Sequence, residues 1–329
     1  MEPYDIQFAD EYPIATIPDD KFWSENYAFI GYDYEKKIGF NASIGRWVKN
    51  PRLWREQFYL YLPDGTVLVH IQIGRNDDPT VPTGGSLRFI CEEPGGRWRI
   101  NFEGAMQHHS QQSLLADPIT ELRPHPVTFD VVIDHGYPVW MFPRSDNTSH
   151  GKYHYEQLGN FSAAFNFKGQ DYAYQGPAYR DHSRGPRQLG DYDGHVWMQL
   201  HPENGPKFAT YNAWVLKDGA PVQILSETTS MRADGFGQAQ IHDPQALKLR
   251  SVDQFFDPVD INVTIEGKDY RLKGTPLTTM ISALTNEFDF FYGWNRAEVD
   301  ILATDQPLRL EGADGRVTGY LQRSLRLRR

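Results

Sequence analysis

The sequence has very little cysteine and too few basic residues to offset its acids. Cys91 is the single cysteine among 329 residues, and one cysteine can neither form an intrachain disulfide nor build a zinc site alone. The 33 Lys and Arg residues against 43 Asp and Glu residues give a net charge of −10. Binding to a nucleic-acid backbone needs an excess of positive charge, so we expect no nucleic-acid partner.

Long apolar runs and several well-known motifs are also missing. No run approaches the roughly 18 apolar residues of a membrane-spanning helix, and the mean hydropathy is −0.59. The start of the chain, residues 1–5, is acidic where a signal peptide is basic and then apolar, so we expect a soluble, cytoplasmic protein. The absence of Gly-x-Gly-x-x-Gly, Walker and Gly-x-Ser-x-Gly motifs disfavours dinucleotide, nucleotide and α/β-hydrolase functions.

Aromatic residues, in contrast, are abundant. They form 14% of the chain, although hydrophobic residues overall reach only 40%. Aromatic and β-branched residues suit pleated strands, and 28 Gly with 22 Pro supply many turns. The composition therefore favours an all-β protein. The rings either fill its core or line a barrel around an apolar ligand.

Short segments in which apolar and polar residues alternate predict β-strands, and the chain shows no regular succession of strands and helices. Two hairpins are expected, 58–62 with 66–73 and 87–91 with 98–102, each turning at Pro and Gly. Further strands are expected at 127–133, 194–200 and 209–215, and short helices at 19–26 and 113–116.

A polar stretch at 144–151 lacks apolar periodicity and suggests a domain boundary. We therefore expect domains at 1–148 and 149–329, each long enough for one antiparallel barrel. Within the second domain, the hairpin pattern of 165–176 recurs at 263–274. Either a common origin of the two segments or the residue preferences that all hairpins share would explain this recurrence.

The densest polar cluster spans residues 179–187. On a strand, Tyr179 and Asp181 share one face while His182 points to the other. If Asp181 is buried, its raised pKa makes it a proton donor near neutral pH. The alternative is a surface loop in which Asp181 pairs with Arg184 or Arg187.

A second cluster contains His154 and Glu156, which are also two residues apart and share a face of a strand. His-x-Glu can ligate a metal, but a metal site needs a third ligand that the sequence does not identify. We therefore expect an acid–base or hydrogen-bonding pair that faces the same pocket as Asp181, with no metal and no organic cofactor.

Residues 154–157 and 179–187 together resemble the hydroxyneurosporene synthase (carotenoid 1,2-hydratase) superfamily of tandem lipocalin-like proteins. The resemblance implies an all-β fold of two lipocalin-like antiparallel barrels in tandem with few short helices. It also implies Asp181 as proton donor, assisted by Tyr179 and His154. Glu156 replaces a family Trp and Arg184 stands where relatives often have Trp, which removes a cation-stabilising ring and adds polar groups.

The expected function is a cofactor-independent hydratase/lyase or isomerase/cyclase that protonates a double bond of an apolar terpenoid- or polyketide-like small molecule. A carrier of a hydrophobic ligand and a Diels–Alderase-like pericyclase are the alternatives. The candidate catalytic residues are Asp181, Tyr179, His154, Glu156 and His182, and the candidate substrate-binding residues are Trp197, Tyr211, Trp214, Arg184 and Arg187.

Overall fold

A computed structural model describes most of the chain, and nearly all of it is β-strand. The described residues are 7–19, 23–46, 50, 52–78, 80–115, 123–142, 153–186, 192–283, 301–313 and 315–327. The helices are short: α1 (Phe8–Glu11), α2 (Gln111–Leu115) and the 3-10 turns Pro244–Leu247 and Val252–Phe256. Within these ranges, no helix has the length and apolar character needed to cross a membrane.

The first sheet closes into a barrel. Its strands are β1 (Trp23–Asp33), β2 (Ile38–Arg46), β3 (Leu53–Tyr61), β4 (Val67–Arg75), β5 (Leu87–Glu93), β6 (Arg97–His109), β7 (Pro124–Asp134), β8 (Trp140–Met141), β9 (Tyr153–Phe167) and β10 (Gln170–Pro186). Antiparallel pairs run β10-β1-β2-β3-β4-β6-β7-β9, and β9 pairs back to β10. The short strands β5 and β8 pair with β6 and β9.

The second sheet is also antiparallel. Its strands are β11 (Tyr192–Pro202), β12 (Lys207–Lys217), β13 (Ala220–Arg232), β14 (Gly235–Gly237), β15 (Ala239–His242), β16 (Val259–Ile265), β17 (Lys268–Pro276), β18 (Met280–Ala283), β19 (Ile301–Gly312) and β20 (Gly315–Arg326). The order is β14-β13-β12-β11-β20-β19-β17-β16-β15, with β18 beside β19. The predicted all-β tandem fold is confirmed.

The division between the two units differs from the predicted one. Residues 3–187 form one compact unit, and residues 188–329 form nearly all of the other. The expected boundary at residue 148 lies outside the described residues. Strands β9 and β10 belong to the first unit because the ring needs both of them, β9 against β7 and β10 against β1. The polar motifs therefore lie in the first unit.

The predicted hairpins and strands are all present, whereas one predicted helix is wrong. Residues 23–26 of the expected helix 19–26 begin strand β1, and the expected helix 113–116 overlaps α2. The recurrence between 165–176 and 263–274 reflects one turn type: Lys168-Gly169 and Glu266-Gly267 both have positive φ angles, as two-residue hairpin turns require. The strands involved, β9–β10 and β16–β17, hold different places in their sheets.

Aromatic rings fill the first barrel. Alternate residues of its strands turn inward, and rings meet edge to face there, as Phe29 does with Phe89 at 5.2 Å and Phe40 with Phe161 at 5.2 Å. All four rings are almost fully buried. Many aromatic residues of the first unit therefore fill its core, which is one of the two roles predicted for the rings.

A buried ion pair crosses one end of this barrel. Helix α1 brings in Glu11, whose carboxylate accepts hydrogen bonds from Arg180 Nη1 at 2.7 Å and Nη2 at 2.8 Å. Tyr155 Oη and the Gly95 backbone N–H donate to the same carboxylate at 2.9 and 2.8 Å. Burial alone raises the pKa of Glu11, but Arg180 and these donors outweigh it and lower the pKa to about 2.

We expect Glu11→Gln to reduce the free energy of unfolding by about 3–5 kcal/mol at pH 7, because it leaves Arg180 as a buried charge without its counter-ion. The folded pKa of Glu11, about 2, lies below the reference value of 4.5. Its stabilisation is thus present above pH 4.5 and is lost as the pH falls toward 2. Urea unfolding at several pH values measures both effects.

Glu103→Gln is the matched control, since this side chain is exposed on β6. A Glu11 variant as stable as that control at pH 7 would contradict the role of the ion pair.

Candidate functional site

The candidate site lies on the outer face of strands β9 and β10. In their antiparallel register, Glu156 lies opposite Asp181 and Tyr155 lies opposite His182. Tyr155 points into the barrel, where it reaches the buried ion pair. Strand alternation therefore turns its neighbours His154 and Glu156 outward, together with Asp181 and the nearby Tyr179.

The outer face brings one imidazole against two carboxylates. His154 Nε2 lies 3.4 Å from Glu156 Oε1 and in direct hydrogen-bonding contact with Asp181 Oδ2. The exposed fractions of the side chains are 6% for His154, 0% for Glu156 and 15% for Asp181. The cluster is thus buried, and Asp181 is the most exposed of its three side chains.

The two carboxylates change the titration of the imidazole in this cluster. Burial by itself lowers the pKa of His154, but Asp181 and Glu156 outweigh burial and raise that pKa to about 9. This pKa favours the charged form of the His154 imidazole at neutral pH.

The same three side chains are the group that could hold a metal ion among the described residues. Their ligand atoms all lie within 4.8 Å of one another, and one nitrogen with two oxygens suits divalent cations such as Zn²⁺. Asp181 supplies the third ligand that the sequence alone did not identify. The direct contact between His154 Nε2 and Asp181 Oδ2 is that of a hydrogen bond, and the two atoms would have to separate to admit an ion.

Two rings that the sequence reasoning missed form an aromatic wall beside the cluster. Strand β8 pairs with β9 so that Trp140 lies opposite Glu156. The next outward ring, Phe142, lies 4.1 Å from the His154 ring and 4.6 Å from the Trp140 ring. The available signal was the apolar run 139–142, in which rings stand at alternate positions.

The predicted catalytic residue His182 lies inside the barrel, on the face opposite Asp181. Its ring stacks on Tyr27 at 4.0 Å, and its Nδ1 lies 3.0 Å from Tyr155 Oη. It is 1% exposed. His182 therefore belongs to the buried network around the Glu11 ion pair, and the structure does not bring it to the outer-face cluster.

The arginines of the motif also lie away from Asp181. Arg180 points into the barrel, and the Arg184 guanidinium lies 4.1 Å from the Tyr153 ring and 3.4 Å from Asp10. Both sit at alternate, inward positions of β10. Arg187 lies outside the described residues. The expected alternative of an Asp181–Arg184 ion pair is thus not formed.

The candidate wall residues of the second unit separate onto two faces. Trp197 of β11 and Tyr211 of β12 lie opposite each other on the outer face. Trp214, also on β12, is 0% exposed and packs into the core of the second sheet. The structure therefore does not bring Trp214 to the face of Tyr211, because it lies three positions further along the strand and successive side chains alternate between the faces.

Comparison with known families assigns most of the chain to one domain family. A family model for a domain of unknown function, DUF7064, matches residues 8–300. The chain belongs to this family. A search among curated proteins finds no match.

Solved structures resemble the DUF7064 chain over nearly its whole length at low identity. A protein of Nitrosomonas europaea assigned as AttH is 15% identical, with 98% of both chains covered and a TM-score of 0.64. CghA in complex with Sch210972 is 12% identical, covering 96% of this chain and 94% of its own, with a TM-score of 0.57.

Kievitone hydratase of Nectria haematococca is likewise 12% identical, covering 92% of this chain and 88% of its own, with a TM-score of 0.53. At such identities these likenesses concern the fold. They agree with the predicted all-β fold of two antiparallel barrels in tandem.

We expect Asp181→Asn to lower the pKa of His154 by more than one unit, because it removes the main group that holds the proton on the imidazole. The measurement is an NMR titration of the His154 ring signal, which in the unchanged protein should titrate near 9. Asp171→Asn, at an exposed position of the same strand, is the control. A His154 signal that titrates near 6.5 in the unchanged protein would contradict the charge assignment.

Proposed function

We propose that this DUF7064 protein is a hydratase/lyase- or isomerase/cyclase-type enzyme that moves a proton onto an unsaturated, largely apolar small molecule. The observation that carries the proposal is the His154 imidazole held between the Asp181 and Glu156 carboxylates beside an aromatic wall. A proton donor and a proton acceptor a few ångströms apart are what the addition or removal of water requires.

In this proposal His154 is the proton donor, in place of Asp181. Its Nε2 carries a proton at neutral pH, and the ionised Asp181 orients the ring and keeps it charged. Glu156, whose Oε1 lies 3.4 Å from His154 Nε2, acts as the base. Tyr179, two residues before Asp181 on the same face, offers a phenol as a further hydrogen-bond donor.

The balanced reaction for hydration has two proton movements. His154 Nε2 gives its proton to the substrate, while Glu156 takes a proton from water and the hydroxyl adds to the carbon at the other end of the double bond. The proton then returns from Glu156 Oε1 to His154 Nε2, across a gap of 3.4 Å that must close by a few tenths of an ångström. The net change is the addition of one water molecule, and the reverse order of steps removes one.

The pKa of the donor narrows the substrate class. A donor with a pKa of about 9 is matched to an oxygen that gains negative charge, such as a carbonyl conjugated to the double bond. An isolated alkene demands a stronger acid. We therefore propose a conjugated carbonyl compound of terpenoid or polyketide type, in which protonation of the oxygen gives an enol that reverts to the ketone.

The aromatic wall and the fold relatives are consistent with such a substrate. Trp140 and Phe142 present apolar ring faces beside the acid–base cluster, which suits a planar unsaturated skeleton. Among proteins of similar fold, one is a hydratase of kievitone and another binds Sch210972. These relatives support small-molecule chemistry on this fold, and the assignment to this chain is our proposal.

We expect His154→Gln to lower kcat roughly 10²–10⁴-fold, the usual contribution of a positioned general acid. The assay incubates the protein with a panel of conjugated terpenoid and polyketide ketones in water labelled with heavy oxygen. Mass spectrometry then detects labelled water in the product. His242→Gln, which changes an exposed histidine of the second unit, should keep full activity.

The same variants separate the alternatives. A carrier would bind members of the panel without converting any of them, and a pericyclase would keep most of its rate in His154→Gln. Either result would overturn the proposed mechanism. Activity that disappears on dialysis against a chelator and returns with Zn²⁺ would assign the three side chains to a metal instead.

We expect kcat to fall as the pH rises through the pKa of His154. The donor is the charged imidazole, so activity is present below a pH of about 9 and is lost above it. In Asp181→Asn this loss of kcat should occur at lower pH, because the proton leaves the imidazole more easily. If the pH at which kcat falls is unchanged in Asp181→Asn, His154 is not the group that titrates.

A further inference from the structure

The second unit repeats the strand arrangement that carries the candidate site. In each unit the first strand pairs with the last, β1 with β10 and β11 with β20. The last strand also pairs with the one before it, β10 with β9 and β20 with β19. Strands β19 and β20 are therefore the counterparts of β9 and β10.

The register extends this equivalence to single residues. Glu156 lies opposite Asp181 in the first unit, and Asp305 lies opposite Gln322 in the second. Two residues before Asp181 and before Gln322 stand tyrosines, Tyr179 and Tyr320.

Further matches surround these positions. A glutamine follows each acid on the penultimate strand, and a serine stands two residues after Asp181 and after Gln322 on the last strand. These residues are Gln157 and Gln306, and Ser183 and Ser324. Three of the five equivalent positions thus carry identical residues, a fourth carries an acid in both units, and only Asp181 is replaced by an uncharged residue, Gln322. The second unit therefore has a polar cluster where the first unit has its candidate site.

The second cluster is a chain of hydrogen bonds on the outer face of its sheet. Tyr320 Oη donates to Asp305 Oδ1, and Gln322 Nε2 donates to the same oxygen at 2.7 Å. The amide oxygen of Gln322 then accepts from His195 Nε2 at 2.6 Å. His195 therefore contacts Gln322 in the second unit as His154 contacts Asp181 in the first. It comes from β11, whereas the position equivalent to His154 is occupied by Ala303.

Charge distinguishes the two clusters. Gln322 is neutral where the first unit has the Asp181 carboxylate, and Ala303 removes the imidazolium that faces the acid in the first unit. Asp305 is 1% exposed. Burial raises the pKa of the Asp305 carboxyl, and the hydrogen bonds from Tyr320 and Gln322 oppose this effect without reversing it. This shift increases the neutral fraction of Asp305 at a given pH, and a neutral carboxyl group can donate a hydrogen bond.

Aromatic rings frame this cluster as they frame the first one. The Trp197 ring meets the Tyr320 ring edge to face at 6.1 Å, and the Tyr211 ring stacks on His195 at 5.5 Å. Tyr211 and Gln322 keep part of their surface exposed, whereas Asp305 and Tyr320 are buried. The cluster is therefore polar at its centre, aromatic at its sides and accessible along one side.

We propose that Asp305, Tyr320 and Gln322 form a second ligand site, contained in the second unit, that takes the oxygen of a neutral conjugated carbonyl compound. Tyr320 and Gln322 are uncharged donors, so the site suits an uncharged acceptor better than a carboxylate or a phosphate. Trp197 and Tyr211 offer ring surfaces to the planar part of the ligand. The proposal does not depend on turnover at His154.

Binding of dimethylaminochalcone, a neutral conjugated ketone, tests this site. Its absorption moves to longer wavelength when the carbonyl accepts a strong hydrogen bond, so one titration gives both Kd and the contact. We expect Tyr320→Phe and Asp305→Leu each to weaken binding roughly tenfold, the effect of one lost hydrogen bond, and to reduce the spectral shift. Tyr270→Phe, at a half-buried tyrosine on β17 outside both clusters, is the control and should leave both unchanged. Tyr179→Phe, the same change at the equivalent position of the first unit, reports any binding of the probe at the first cluster.

Two results would overturn the proposal: absence of probe binding to the unchanged protein, or loss of binding in Tyr179→Phe but not in Tyr320→Phe. Should Asp305→Leu fail to fold, Asp305→Asn replaces it, since an amide mimics a neutral acid in size and can still donate. This variant should bind the probe within about threefold of the unchanged protein. NMR of carboxyl-labelled protein must also show Asp305 titrating above free aspartic acid, and titration below it would refute the neutral donor.

Discussion

The ion pair between Glu11 and Arg180 holds together the part of the first unit on which the candidate site is built. Arg180 lies between Tyr179 and Asp181 in the chain, and Gln157, which also bonds Arg180 at 2.7 Å, follows Glu156. Each inward anchor is thus covalently next to an outward functional residue. A strand whose inward side chains are locked cannot shift its register without moving its entire outer face, so the buried network sets the positions of the outward groups.

This arrangement assigns opposite electrostatic roles to the two faces of one hairpin. Inside the barrel, Arg180 has a full carboxylate partner, and the charges are satisfied and inaccessible. On the outer face, His154 shares its proton with Asp181 and has Glu156 within reach. The first set of charges stabilises the fold, and the second set forms the candidate site. The two faces of the hairpin thus keep the buried ion pair and the candidate site apart although their residues are neighbours in the chain.

The two units show how one framework can hold different chemistry. Equivalent positions carry Glu156 and Asp181 in the first unit and Asp305 and Gln322 in the second. Replacing a carboxylate by an amide removes the charge that keeps a nearby histidine protonated. The first cluster therefore places two carboxyl groups beside an imidazole, whereas the second surrounds a single carboxyl group with an amide and a phenol. This repeat escaped detection in the sequence because it rests on strand register, while the visible recurrence came from a common turn.

The sequence by itself determined the fold class, the main hairpins and the shared face of Tyr179 with Asp181, because period-two alternation and turn residues are local properties. Tertiary structure alone decided which unit carries that face, since β9 and β10 complete the first barrel by pairing with strands far away in the chain. It likewise decided that His154 lies against the Asp181 and Glu156 carboxylates and that its pKa is raised, because a pKa depends on neighbours that only folding brings within a few ångströms.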